Sequence, residues 1–550
     1  MAERDPGTPS GGQSQAALEP ATLPALLTGP SGRSFWLVAG AALLAVLAYA
    51  GLAAWQGQSG YPLDDAWIHQ TYARNLAQSG RWAFVPGQAS AGSTAPLWTL
   101  LLSPAYLLRL PPLPWTILLG WLCLVWCAWL GMVLWRTLWP AMAGRSVWAG
   151  LTITLSWPLL WAAGSGMETL LFSALALQLL ALYSRQSISG RWRPAWLGVV
   201  GGLMMLARPE GLILLLLSGL GLLLAPGEAG QPAGRASQAA GRVARFLVAA
   251  GLVLAPYFAL NLAFSGRIWP STFYAKQAEY AYLWQKSLPA RFFQLAYFAL
   301  GGPAAGGRGM SGPHLLLLPG LLAAGWRALA ADWQTRRLLR LLPLIWAAGH
   351  VFVYAWRLPV LYQHGRYLMP VLPVIILYGL AGWFWLAGII GARLSSVRRF
   401  PHLAYIAGRV AGLVFAALVA VFLLLGRQAY VADVSFINQE MVAVARWLDE
   451  HTPPEATIAA HDIGAIGYFT QRPLLDLAGL ISPEVAPLLG DDAALASYVR
   501  DSGAEYLVTA PGWPYTAITT ADEATLLFET DYAWTRQQGS NNMAVYRLGN

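Results

Sequence analysis

The chain is short of charge, of lysine and of cysteine, and each shortage excludes something. Charged side chains make up 11% of its 550 residues against 57% hydrophobic ones, too few to solvate a soluble protein of this size. The two cysteines, Cys123 and Cys127, lie one helical turn apart in an apolar segment. No pair is left for an extracytoplasmic disulfide, and neither thiol has a metal-ligating neighbour in sequence, so a packing role follows. Lysine is confined to Lys276 and Lys286.

Long apolar runs, by contrast, are abundant. Runs of roughly 17–25 hydrophobic residues recur along the chain, the length of a helical bilayer crossing. An α-helical polytopic membrane protein is expected. The formal charge of +9 would suit nucleic acid, but the arginines sit between apolar runs, in the positive-inside pattern and near anionic lipid. No nucleic-acid partner is expected; the lipid bilayer is.

Arginine placement orients the chain. Arg136 and Arg145, then Arg185, Arg191 and Arg193, then Arg235, Arg242 and Arg245 occupy alternate connections. Arg336, Arg337 and Arg340, followed by Arg393, Arg398 and Arg399, continue the series. With all of these in the cytoplasm, crossings fall near 115–135, 147–163, 168–184, 194–207, 209–224, 243–264, 313–330, 341–357, 367–390 and 403–425. A first helix over 35–55 makes eleven, with the N-terminus inside and the C-terminus outside. Residues 96–110 and 291–300 are short for a span and read as re-entrant or surface segments, or as halves of extra hairpins that would raise the count towards thirteen. Residues 1–33 lack apolar periodicity and read as a disordered cytoplasmic tail.

Polar residues withheld from the cytoplasmic loops gather on the outer face. Residues 56–96 form the first outer loop, with Asp64 and Asp65 together at a membrane boundary. The spacing of Ala66, Ile68, Tyr72, Leu76 and Ala77 predicts a helix over 65–78 lying on the membrane surface, apolar face in lipid, with His69 among its polar residues. Gly80 stops it. The connections GSGME and ARPEG are so short that Glu168, Arg208 and Glu210 must sit at the membrane edge, where an ionised group is costly unless paired or wetted. Mutual neutralisation of Arg208 and Glu210 would explain that pair alone; three such places on the face of Asp64 and Asp65 point to a site.

Lys276, in the outer loop 265–289, is a compact charge suited to a phosphate, whereas Lys286 reads as a snorkelling lysine. His364 and Arg366, with Tyr367 in LYQHGRYLMP, form a further candidate anion site at a helix start, the alternative being boundary anchoring by an aromatic and a cation.

After residue 430 the composition shifts. A helix over 438–451, strands near 457–460, 505–509, 526–529 and 543–547, a second apolar run over 473–477, and short helices near 483–489 and 492–501 compose an extracytoplasmic α/β domain, 431–550, of roughly a hundred residues. Its HDIG sequence, His461 to Gly464, lacks the further His and Asp ligands of a metal-dependent phosphohydrolase.

Taken in order, DDAWIHQTYARNLAQSGRWAFVPG, STAPLW, GMETLLF, ARPEG, STFYAK, HGRYLMPVLP and DIGAIGYF…DLAGL resemble the GT-C glycosyltransferases. The likeness is to the branch around the lipid A aminoarabinose transferase, the protein O-mannosyltransferases and the mycobacterial arabinofuranosyltransferases. It covers most of the chain from Tyr61 to about Leu480 and implies a transmembrane catalytic domain over 34–430. It further implies a bacterial inner-membrane enzyme that moves a sugar from a polyprenyl-phosphate donor to an extracytoplasmic glycan, lipid or protein acceptor, with inversion.

On that resemblance Asp64 is the catalytic base and Asp65 its orienting or acceptor-binding partner. Lys276, Arg208, Arg366 and His364 hold the donor phosphate, and His69, Glu168, Glu210 and Tyr274 contact substrate. No cofactor is required; were a divalent cation used, Asp64, Asp65 and Glu168 would supply its oxygen ligands. The rival classes are a secondary transporter, which the absence of repeated halves disfavours, and a non-catalytic envelope-assembly protein on a related fold.

Overall fold

The structure is a computed structural model and describes residues 29–226, 234–302, 312–335, 338–395, 403–520 and 524–549. The expected disordered tail, apart from its last residues, lies outside these, as do Arg336, Arg337, Arg398 and Arg399. In chain order the helices are α1 (Gly32–Trp55), α2 (Asp65–Ser79), α3 (Pro96–Leu107), α4 (Pro112–Leu138), α5 (Ser146–Thr154), α6 (Trp157–Gly164), α7 (Thr169–Ser189), α8 (Pro194–Ala207), α9 (Leu212–Leu224) and α10 (Arg235–Ser265). They continue with α11 (Ser271–Glu279), α12 (Leu288–Ala299), α13 (Leu318–Thr335), α14 (Leu342–Arg357), α15 (Leu372–Ser395) and α16 (Leu403–Ile437).

Among the described residues six helical stretches are long and apolar enough to cross a membrane, and α5 with α6, bent by 56°, would make a seventh. The expected crossings over α8 and α9 are apolar but shorter, and the count of eleven is not reached by length and composition alone. The fold is that of a multi-pass membrane protein. Large side chains such as Trp36, Trp55, Leu252 and Trp333 are left exposed on it, which suits a lipid solvent and would be prohibitive in water.

The helix α2 corrects one expectation. It runs where the apolar spacing places it and ends at Gly80, whose φ of 67° is the left-handed stop. It does not lie in the lipid surface: His69, Gln70, Thr71, Tyr72, Arg74 and Asn75 are all buried, so both faces are covered by protein. Gln70 bonds Tyr61, Thr116 and Tyr106, while the Asn75 amide donates to the carbonyls of Ala83 and Phe84.

The last helix of the bundle does not stop at the membrane. From α16 the chain passes through a π turn, Asn438–Val442, into α17 (Ala443–His451), then α18 (Gly464–Phe469) and α19 (Asp492–Asp501). Strands β1 (Ile458–Ala460), β2 (Leu474–Asp476), β3 (Tyr506–Thr509), β4 (Ala524–Glu529) and β5 (Ala544–Leu548) form one sheet in the order β2-β1-β3-β5-β4. The first three are parallel and the last two antiparallel to their neighbours. The buried Glu440 of the π turn accepts from Asn542 and the Met543 N–H, and Thr535 donates to it. The sheet is thereby tied to the end of the bundle.

Candidate active site

Five chain segments far apart in sequence meet at one cavity of about 360 Å³, within the range of small-ligand sites. α2 contributes Asp65 and His69, which its pitch places four residues apart on one face. Glu168 comes from the turn between α6 and α7. Arg208 and Glu210 come from the break between α8 and α9, where Arg208 is extended (φ −155°) and Pro209 restarts the helix. α11 presents Lys276, and the segment before α15 presents Arg366. Leu212, Ile213, Val353 and Trp356 line the apolar side of the same cavity.

The charges fall into two linked groups. In the first, Asp65 Oδ2 accepts from Lys276 Nζ at 3.4 Å and from Arg366 Nη2 at 2.5 Å. Both cations also donate to the Tyr367 hydroxyl, at 3.3 and 3.0 Å. In the second, Glu168 lies between His69 Nε2 (3.2 Å) and Arg208 Nη1 (2.5 Å). Arg208 continues to Glu210 (3.3 Å) and to the Tyr354 hydroxyl (2.9 Å), which itself donates to Glu210. The Tyr367 ring joins the groups, since the guanidinium carbons of Arg208 and Arg366 lie 5.1 and 4.9 Å from its centre.

These contacts set proton affinities around the Asp64–Asp65 pair. Burial would raise the Asp65 carboxyl, but Lys276 and Arg366 outweigh it and hold the group well below the usual carboxylate range. Lys276 is pulled upward by Asp65 against its own burial. Asp64 differs from its neighbour: burial, then the charges of Asp462 and Asp65, push its carboxyl up to about 7 against two backbone hydrogen bonds.

Seven of the ten residues singled out from sequence therefore line one cavity: Asp65, His69, Glu168, Arg208, Glu210, Lys276 and Arg366. Three do not. Asp64 faces away and accepts from the N–H groups of Gly464 (2.7 Å) and Ala465 (2.8 Å). His364 bonds Asp433 at 2.8 Å and packs edge-on against Trp157 and Trp161, because positive φ at Gln363, His364 and Gly365 swings it away from Arg366. Tyr274 stands under the Arg267 guanidinium, 4.6 Å from its ring centre. The possible metal set is not assembled either: Asp64, Asp65 and Glu168 serve three different networks, and among the described residues no group of three His, Cys, Asp or Glu is placed to hold a metal ion.

Sequence reasoning missed Tyr354 and gave Tyr367 no role of its own beside His364 and Arg366. The signal was present in α14, where a tyrosine precedes a terminal Arg357 inside an otherwise apolar helix.

The chain has a GT-C-like membrane fold, shared with solved membrane transferases. ArnT from Cupriavidus metallidurans, in its apo state, is similar over 94% of this chain and 98% of its own, with a TM-score of 0.56 at 15% identity. The same protein bound to undecaprenyl phosphate is similar over 93% and 97%, with a TM-score of 0.56 at 14% identity. The oligosaccharyltransferase AglB from Archaeoglobus fulgidus, in complex with an inhibitory peptide and a dolichol-phosphate, is similar over 86% of this chain and 69% of its own, with a TM-score of 0.56 at 13% identity. A family profile described as a domain of unknown function (DUF8728) matches residues 430–546. No curated protein matches the sequence.

Proposed function

We propose that the chain is an integral-membrane glycosyltransferase that moves a sugar from a polyprenyl-phosphate donor to an acceptor hydroxyl on the extracytoplasmic side. The observation that carries this reading is the arrangement at Asp65: one carboxylate oxygen engaged by two cations and the other, Oδ1, unbonded among the described residues. Beside it runs an apolar wall of Leu212, Ile213 and Val353. A phosphate on a hydrophobic tail needs these two surfaces together.

In the proposed reaction the acceptor oxygen attacks the anomeric carbon and the bond from that carbon to the phosphate oxygen breaks. The polyprenyl phosphate leaves with the bonding electrons, and the acceptor proton passes to Asp65 Oδ1. Attack from the face opposite the phosphate inverts the anomeric centre. Lys276 and Arg366 stabilise the leaving phosphate, which needs positive charge more than a proton. Their engagement by phosphate also withdraws them from Asp65 and raises its proton affinity towards that of a useful base. The base thus moves from Asp64 to its neighbour. Arg208, fixed by Glu168 and Glu210, holds the far side of the cavity, and His69 and Glu168 face the sugar or acceptor.

The acceptor class is a cell-envelope glycan, lipid or protein, and the cavity lies at the outer surface of the inner membrane. The purified chain, given polyprenyl-phosphate sugars and a cell-envelope fraction, should release free polyprenyl phosphate in a manner that depends on Asp65. Equal release by wild type and Asp65→Asn would remove Asp65 from the mechanism, and release by the wild type no greater than in its absence would leave a non-catalytic role on this fold.

A further inference from the structure

The helix α18, only six residues long, is gripped at both ends by α2. At its start Asp64 accepts from the N–H groups of Gly464 and Ala465, at 2.7 and 2.8 Å. At its end Arg74 donates to the carbonyls of Tyr468 (2.5 Å) and Gly467 (3.4 Å), its guanidinium 4.8 Å from the Tyr468 ring centre. Between these grips Trp67 packs against Tyr468 and Phe469, with ring centres 4.7 and 4.9 Å apart. The contact leaves no slack: a Cβ at Gly464 would lie 2.1 Å from the Asp64 carbonyl oxygen, and one at Gly467 2.4 Å from the Phe84 ring.

Asp64, Trp67 and Arg74 recur at helical spacing and form one stripe, whereas Asp65, Ile68 and His69 form the stripe that lines the cavity. One stripe cannot turn without the other, and each residue of rotation amounts to about 100°.

We propose that the C-terminal domain is a splint for the catalytic helix, and that Asp64 is a positioning residue that fixes Asp65 and His69 by holding α2 against α18. The proposal rests on the reading of Asp65 as the base, and it gives residues 430–546 a role in the reaction without contact to the reacting atoms. Capping satisfies the first N–H groups of α18 and the arginine its last carbonyls, so the grip resists both sliding and rotation.

The test uses the full-length chain carrying Asp64→Ala, Asp64→Asn, Arg74→Ala, the Asp64→Ala/Arg74→Ala pair, or Gly464→Ala. Each alanine variant should lower kcat by ~10- to 100-fold, the usual penalty for a misplacement of about 1 Å, with KM for the donor within about twofold, since Lys276 and Arg366 are untouched. Asp64→Asn, which keeps an acceptor oxygen but no base, should retain clearly more activity than Asp64→Ala. The double variant should fall no further than the worse single one, because both release one helix. Asp64→Asn and Asp64→Ala equally inactive, at the level of Asp65→Asn, would make Asp64 the base and overturn the proposal. Hydrogen exchange reads the splint even if no glycosyl transfer is found: amides of 65–79 should exchange faster in Asp64→Ala and Arg74→Ala, and unchanged protection there overturns it independently.

Discussion

Asp64 and Asp65 are chain neighbours whose carboxylates point to different domains. Asp65 Oδ2 meets Arg366 at 2.5 Å inside the cavity, while both oxygens of Asp64 accept backbone N–H groups from the C-terminal domain. A helix begins between them, and its first residue turns inward while the one before it turns out.

Substitution of Asp65 therefore bears on chemistry. Asp65→Asn should lower turnover by ~10²–10⁴-fold, the range of a positioned general base, with donor binding kept or strengthened because Lys276 and Arg366 lose their competitor. Wild-type turnover in a matched assay would remove Asp65 from the mechanism.

The two lysines should separate cleanly. Lys276 lines the cavity, whereas Lys286 bonds Gln294 at 3.3 Å on an exposed segment. Lys276→Met should weaken polyprenyl-phosphate binding by about 1.5–3 kcal/mol, as for a lost charge-assisted hydrogen bond, and Lys286→Met by far less. Equal affinities measured in one detergent would take the donor phosphate away from Lys276.

His364, for its part, should matter to packing. His364→Gln is expected to lower the thermal midpoint by loosening the contact with Asp433, Trp157 and Trp161, with donor affinity within about twofold. A tenfold loss of donor affinity in a variant of unchanged thermal midpoint would return His364 to the site.

A pH signature should come from the C-terminal domain. Burial lowers the affinity of His461 for a proton, but Asp462 and Glu279 outweigh it and raise the group to about 9. A basic group raised on folding contributes stability that is full below its unfolded value near 6.5 and is lost as pH climbs through about 9. The thermal midpoint should fall between pH 6.5 and 9, and His461→Gln should flatten that fall. An unchanged slope would show that the ion pairs of His461 do not persist in solution.

Orientation can be read from labelling. Cysteine at Gln88, in the first outer loop, should react with an impermeant reagent in intact cells, and cysteine at Ser237, at the start of α10, should not. The reverse pattern would turn the cavity towards the cytoplasm.

Much of this architecture could be read in advance, for physical reasons that differ along the chain. The long apolar runs and the short apolar segments of the C-terminal domain are local signals, so α1, α4, α10 and the strands of the sheet fall close to where the sequence puts them. Glu168 and Arg208 were legible because an ion at the edge of a bilayer needs a partner, and each turned out to be the other's. What could not be read was direction. Nothing in DDAWIHQ tells which aspartate faces inward, since that is decided by Gly464 and Ala465, four hundred residues later. The positive φ values at Gln363 and His364 likewise part His364 from Arg366 although the two are almost adjacent. The polar face of α2 reads as a wet surface because burial by a distant domain leaves no mark on amphipathic spacing.

In the proposed reaction a lipid-borne phosphate is held between Lys276 and Arg366 beside Asp65. An electron-microscopy map of the full-length protein with a polyprenyl phosphate tests it most directly. The expected result is phosphate density within hydrogen-bond reach of Lys276 Nζ and the Arg366 guanidinium, with the prenyl chain along Leu212, Ile213 and Val353. Phosphate density at any other place, with this cavity empty at saturating ligand, would contradict the account.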